Sequence, residues 1–135
     1  MNRIMEAMKA EVACIPVSLA ASTDSTAIYI SAAKNPRLAF AISTGALASG
    51  KKLTVSVYGA ANPSGTGAEK LGEQVFTASG AMPSAVAVVD VHPRADYSHY
   101  AVKFQHNAAA EVICSALALG EGQYLPVGND WTLTV

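Results

Sequence analysis

The chain has 135 residues, a formal net charge of −1 and a hydrophobic share of 51%. This apolar content excludes an intrinsically disordered chain, and the balance of nine Lys and Arg against ten Asp and Glu argues against a nucleic-acid partner. The length is typical of one domain, and the charged share of only 14% favours a surface that contacts other proteins.

The first twelve residues are predicted to form a short N-terminal arm or an amphipathic helix. Ile4, Met5, Met8 and Val12 recur at roughly helical spacing. A helix of about ten residues is marginal by itself in water, so the alternative is an arm that becomes ordered only against a partner. The segment lacks the apolar core of a signal peptide, and no run of the chain approaches a membrane span. We therefore expect synthesis in the cytoplasm and no membrane partner.

Residues 13–135 are predicted to form one β-sandwich domain, because their apolar residues recur with a period of two between turns rich in Gly, Pro, Asn and Ser. The clearest case is 52–58, where Leu53 and Val55 alternate with polar residues, which predicts one buried and one solvent-facing side. The predicted strands are 13–19, 26–31, 38–42, 52–58, 74–78, 85–91, 97–105, 111–118 and 131–135. Eight or nine short strands with almost no helix predict an all-β, jelly-roll-like antiparallel sandwich, with a small closed barrel as the alternative.

The three histidines suggest a metal site at first sight. His92, His99 and His106 are spaced by seven residues, but a strand at 97–105 places His99 and His106 on opposite faces. Zinc needs three or four converging ligands. We therefore predict no metal and no cofactor, and we interpret the turn around Asp90 and His92 as solvated rather than catalytic.

The remaining patterns do not indicate catalysis. Cys14 and Cys114 are the only cysteines, and we interpret them as free thiols. The glycines of 62–67 lack the lysine and hydroxyl of a phosphate-binding loop, and no Gly-x-Ser-x-Gly turn occurs. The chain is predicted not to be an enzyme and to have no catalytic residues.

Aromatic residues on outward strand positions are candidates for contact with a partner. The alternative is that they form cross-strand pairs within the sheet. Together with the N-terminal arm they make up the predicted partner-contact residues, which are Arg3, Ile4, Met5, Met8, Tyr58, Tyr97 and Tyr100.

A family resemblance rests on the order of several segments between residues 25 and 127. These are 51–59, 69–76, a Val-rich strand at 85–91, 100–104, a small-residue strand at 112–119, and 123–126. The order resembles the capsid decoration or cement proteins of tailed bacteriophages, and is most similar to the jelly-roll cementing proteins of short-tailed Bordetella phages.

The resemblance implies a non-enzymatic virion protein. Proteins of this family bind the outer surface of an expanded icosahedral capsid, contact the major capsid protein as small homo-oligomers (dimer or trimer), and resist the internal pressure of packaged DNA. The alternatives are a carbohydrate- or receptor-binding module and a phage tail-tube or head-completion protein.

Overall fold

The structure, a computed structural model, describes residues 4, 7–32, 37–121 and 128–133, and contains two four-stranded antiparallel β-sheets. The strands are β1 Met8–Leu19, β2 Ile30–Ser31, β3 Arg37–Thr44, β4 Lys52–Ala60, β5 Glu69–Thr77, β6 Ala85–Val91, β7 His99–His106 and β8 Val112–Glu121. We call β1-β8-β3-β6 the first sheet and β2-β7-β4-β5 the second sheet.

The strand order identifies a jelly roll. β4 pairs with β5, β3 with β6, β2 with β7 and β1 with β8, so the chain forms one long hairpin whose successive strand pairs alternate between the two sheets. Folding a long hairpin in this way gives an eight-stranded double-sheet jelly roll. The predicted all-β sandwich is confirmed.

The core lies between the inward faces of the two sheets. Phe40 and Ile42 of β3 are completely buried, as are Tyr100 and Val102 of β7. The middle of β8 contributes small residues to the same core, namely Cys114, Ala116 and Ala118. Small side chains on one strand leave room for large ones from its neighbours, which is how closely packed sandwich cores are filled.

The helix predicted for the N-terminal segment is wrong from Met8 onward. Residues 8–12 belong to β1 and pair with β8, from Met8 opposite Glu121 to Val12 opposite Leu117. A short isolated helix is marginal in water, whereas the free edge of β8 offers a row of backbone hydrogen-bond partners. β1 also contains Pro16, which lies where the pairing register shifts between Cys14 and Val17, and proline within a strand is tolerated at such irregular edge positions.

Other strand predictions also change in extent. Only Ile30 and Ser31 of the predicted strand 26–31 are paired as a strand, although the preceding segment also follows β7 through the Ser22 and Ser25 backbone. β5 begins at Glu69 rather than at residue 74. The prediction missed its first half because those residues are polar and exposed and lack an alternating pattern. Residues 131–133 are not in a strand, and the last two residues of that predicted strand lie outside the described residues.

Candidate interaction surfaces

Tyr100 is not available to a partner, so its prediction as a contact residue is wrong. Its side chain is completely buried in the core, and its hydroxyl accepts a 2.6 Å hydrogen bond from the Arg94 backbone N–H. Tyr100 occupies the same strand parity as Val102 and Phe104, which face inward. A buried tyrosine of this kind needs a partner for its hydroxyl, and the turn before β7 supplies it.

Tyr97 lies just before β7 and packs against β4. Its hydroxyl donates a 2.6 Å hydrogen bond to the Glu69 carboxylate, and this bond, together with partial burial, raises the pKa of Tyr97. Its ring packs over Gly59, where a Cβ would lie 2.7 Å from the Tyr97 Cγ. Both the ring and the hydroxyl of Tyr97 therefore already have partners within the chain.

Tyr58 lies half-buried on the outer face of the second sheet. The Lys103 ammonium lies 4.7 Å from the centre of its ring, which is the geometry of a cation–π contact. This contact joins neighbouring strands β4 and β7. One face of the ring is thus covered by the chain itself, as in the cross-strand alternative.

The histidines occupy three separate environments. His106 is buried, and the Ala108 N–H donates to its Nδ1, so Nε2 carries the proton and donates to the Leu19 carbonyl at 2.6 Å. His99 Nδ1 shares a 2.8 Å hydrogen bond with the Ser98 hydroxyl, and His92 lines a cleft between β5 and β6. Within the described part of the chain no three His, Cys, Asp or Glu side chains gather in metal-binding geometry.

The two cysteines face the core from neighbouring strands. Cys14 lies opposite Ala116 in the β1–β8 pairing, two residues from Cys114. Burial raises the pKa of both thiols, and for Cys114 burial together with the adjacent Cys14 raises the pKa to about 11. A thiol with such a pKa is almost entirely protonated at neutral pH and is a poor nucleophile.

A cleft of about 320 Å³ opens between the edge strands β5 and β6, where the two sheets diverge. Its walls are aliphatic, and its rim carries both acidic and basic groups. The lining residues include Val55, Val57, Leu71, Val89, Val91, Glu73, Asp90, His92 and Arg94.

The chain termini carry exposed apolar side chains that lie near the start of β1. The Asn129 side chain accepts from the Ala10 N–H at 2.8 Å and donates to the Met8 carbonyl at 3.1 Å. Just beyond this bonded segment, Trp131 is 96% and Leu133 87% exposed. At the other terminus Ile4 is 74% exposed and accepts a backbone hydrogen bond from Ala7. We call Ile4, Trp131 and Leu133 the terminal patch.

The terminal patch contains one of the predicted contact residues, Ile4. Ile4 is exposed, whereas Met8 is half-buried in β1. Arg3 and Met5 lie outside the described residues. The sequence interpretation missed Trp131 and Leu133 as contact candidates because it assigned them to a strand.

The outer face of the first sheet is a second surface that the sequence interpretation missed. Large aliphatic side chains project from it into solvent, among them Val12, Val86, Val88, Ile113 and Leu117. An uninterrupted apolar run such as residues 85–89 usually marks a strand buried on both sides, and this was the available signal. Here one side of that run is open to solvent among the described residues, with Val88 62% exposed.

The described residues contain no helix long and apolar enough to cross a membrane. No protein-family model matches the sequence, and a search of curated proteins gives no match.

Solved structures that are similar to this chain include the following three, all at low identity. A chain from a study entitled "Bacillus endospore appendages form a novel family of disulfide-linked pili" is 16% identical over 87% of this chain and 90% of that one, with a TM-score of 0.41. A chain of the infectious bursal disease virus Gx strain is 10% identical over 88% of this chain but 33% of its own length, with a TM-score of 0.47. PirA is 10% identical over 90% of this chain and 98% of its own, with a TM-score of 0.36. At these scores the likenesses carry no argument about function, and the fold assignment rests on the strand order.

Proposed function

We propose that this chain is a non-enzymatic structural protein of a phage virion that binds the outer surface of an icosahedral capsid. It cements neighbouring copies of the major capsid protein against the pressure of packaged DNA. In this proposal the protein is made in the host cytoplasm and resides on the capsid exterior as a homo-oligomer. The proposal joins the family resemblance of residues 25–127 to a surface that the jelly roll leaves exposed.

The observation that carries the proposal is the terminal patch. Trp131 and Leu133 are almost fully exposed beside a segment that Asn129 and Gly128 bond to the start of β1. Tryptophan is among the residues most enriched at the energetic centres of protein interfaces, and burying a leucine is worth about 1.5–3 kcal/mol. Two large apolar side chains next to an anchored segment are therefore well placed to bind a protein surface.

Many weak contacts suit a cementing role. Each copy needs only moderate affinity when its oligomer bridges several capsid subunits, because avidity multiplies the effect of each contact. The close-packed sandwich core, with Phe40 and Tyr100 completely buried, gives a rigid body that can transmit load between those contacts.

The sugar-binding alternative has less support from the side chains it requires. Tyr100 is buried, Tyr97 packs on Gly59 and bonds Glu69, and the ring of Tyr58 is covered on one face by Lys103. The Tyr97 and Tyr100 rings meet edge to face, with their centres 6.2 Å apart, so they do not form an open stacking platform.

The test is co-sedimentation of the full-length protein with phage capsids that lack it, followed by measurement of the temperature at which the capsids rupture. We expect saturable binding and a higher rupture temperature. The double variant W131A/L133A should bind at least tenfold more weakly, whereas F76A, a half-exposed aromatic on β5, should bind like the wild type. Absence of binding by the wild type, or equal loss in both variants, would contradict the proposal.

A further inference from the structure

The exposed aliphatic side chains of the first sheet form a continuous row across all four strands. Val12 pairs with Leu117, Leu117 with Ala41, and Ala41 with Val88. Residues directly opposite each other in antiparallel strands project from the same face of a sheet. The four side chains therefore lie side by side from the β1 edge to the β6 edge.

The neighbouring rows are also uncharged in the centre of the face. One row places Ala10, Leu119 and Ala39 beside one another, and the row on the other side joins Ser115 and Ser43 to Val86. The charged side chains of this face stand at its ends and corner. They are Arg37, Glu121, Asp90 and Glu111. An apolar centre with a polar rim is the usual anatomy of a protein interface.

The face is large enough to form a specific dimer. Four strands about 4.8 Å apart and about eight residues long at about 3.3 Å per residue cover roughly 500 Å² in projection. Two such faces together bury on the order of 1,000 Å², which is the lower bound for a biological interface.

The register makes the face complementary to itself. A two-fold axis parallel to the strands and midway between β8 and β3 exchanges those two strands with each other, and exchanges β1 with β6. Leu117 then lies over the Ala41 of the second copy, a large side chain over a small one, and Val12 lies over Val88. At the end of the face, Arg37 meets the Glu121 of the second copy, so that opposite charges are apposed.

We propose that the outer face of the first sheet binds the same face of a second copy of this chain about this axis. Two β-sheets pack face to face at about 10 Å with a crossing angle near −30°, so the central rows remain aligned. Arg37 and Glu121 already form a 3.4 Å ion pair within one chain, and in the dimer the two pairs become a four-membered network of alternating charge. This interface is separate from the terminal patch and stands whether or not the protein binds a capsid.

The first test is sedimentation equilibrium of the full-length protein from 1 to 100 µM. We expect a dimer for the wild type and for V75D, which places the same charge on the outer face of the second sheet. We expect at least 30-fold weaker dimerisation for V88D, because the change leaves a carboxylate in the apolar centre. A monomeric wild type at 100 µM, or equal weakening by V75D and V88D, would overturn the proposal.

The second test uses charge exchange and does not disturb the apolar face. R37E and E121R should each weaken self-association by about three- to tenfold, because each apposes like charges. An equimolar mixture of the two should recover wild-type affinity, since in the mixed dimer every Glu faces an Arg. The Arg37 side chain is 83% exposed and that of Glu121 46%, so the variants should keep the wild-type melting temperature. Failure of the mixture to recover affinity would rule out the proposed axis.

Discussion

The two sheets of this jelly roll have similar inner faces and different outer faces. Inward, each sheet buries an aromatic residue, Phe40 in the first and Phe104 in the second. Outward, the second sheet presents polar residues such as Thr54 and Lys103, whereas the first presents Val88 and Leu117. The backbone hydrogen bonds within a sheet do not depend on whether its outward side chains are polar or apolar. The fold therefore does not require this difference, which is the feature that the proposed dimer uses.

The largest expected effect is a loss of stability in core variants, which tests whether the inner faces of the two sheets contribute equally to the core. F40A and F104A should each lower the free energy of unfolding by about 3–5 kcal/mol, because each removes a buried aromatic ring and leaves a cavity. Urea denaturation measures the change. F76A, on the exposed edge strand β5, is the matched control and should cost less than half as much. A small loss for either core variant would show that one sheet contributes little to the core.

The next prediction concerns the loop between β4 and β5, which packs on the Tyr29 ring just before β2. Gly65 and Gly67 both have positive φ, but a Cβ on Gly65 would lie 2.3 Å from the Tyr29 ring, whereas nothing lies within 4 Å of one on Gly67. G67A should cost about 1 kcal/mol for the backbone alone, and G65A about 2–4 kcal/mol because the loop must also move off Tyr29. Thermal denaturation of the two variants compares them, and equal costs would mean that the loop does not pack on Tyr29.

A third prediction concerns the thiols on the inner face of the first sheet. The pKa of Cys114 is raised to about 11 from its ordinary value of 9.0, so the unfolded chain loses this proton at lower pH than the native protein. Below pH 9 the thiol contributes no pH dependence. Above it, stability should fall by up to about 1.4 kcal/mol per pH unit until about pH 11.

The variant C114A isolates this contribution. The unfolding free energy of the wild type minus that of C114A should be constant from pH 7 to 8.5 and should fall between pH 9 and 11. Tyr97 titrates in the alkaline range in both proteins and cancels in the difference. A difference that stays flat throughout would mean that Cys114 is accessible to water in the native state.

The smallest effect tests the contrast between the outer faces directly. V88T and T54V exchange an aliphatic and a hydroxylated residue between the two faces, and each should change the free energy of unfolding by less than about 0.5 kcal/mol. On hydrophobic-interaction chromatography under conditions where the protein is monomeric, V88T should elute earlier than the wild type and T54V later. Unchanged elution of V88T would show that the outer face of the first sheet is covered in the monomer.

The sequence predicted the architecture well because strand periodicity and turn residues are local. The strand predicted at 85–91 has the same bounds in the structure, and the parity of β7 correctly placed His99 and His106 on opposite faces. Residues 8–12 were assigned to a possible helix because Met8 and Val12 satisfy helical spacing. They form a strand because β8 provides hydrogen-bond partners more than a hundred residues away in the chain.

The surfaces were harder to predict because they too depend on residues that are far apart in the chain. Tyr100 and Tyr97 were both predicted to contact a partner, yet one is buried under the turn that contains Arg94 and the other packs on Gly59. Trp131 is exposed two residues beyond Asn129, whose side chain bonds the distant start of β1. Each of these outcomes depends on contacts between distant residues.

The sequence by itself determined an all-β chain of alternating strands with an apolar core, because side-chain alternation and turn chemistry act between near neighbours. Only the tertiary structure decided the jelly-roll order, the strand at the N-terminus and the sheet whose apolar outer face stays open. Val88 and Val89 carry the same side chain on adjacent positions. The register of β6 against β3 sets which of the two faces the core. Long-range strand pairing sets the sheet to which β6 belongs.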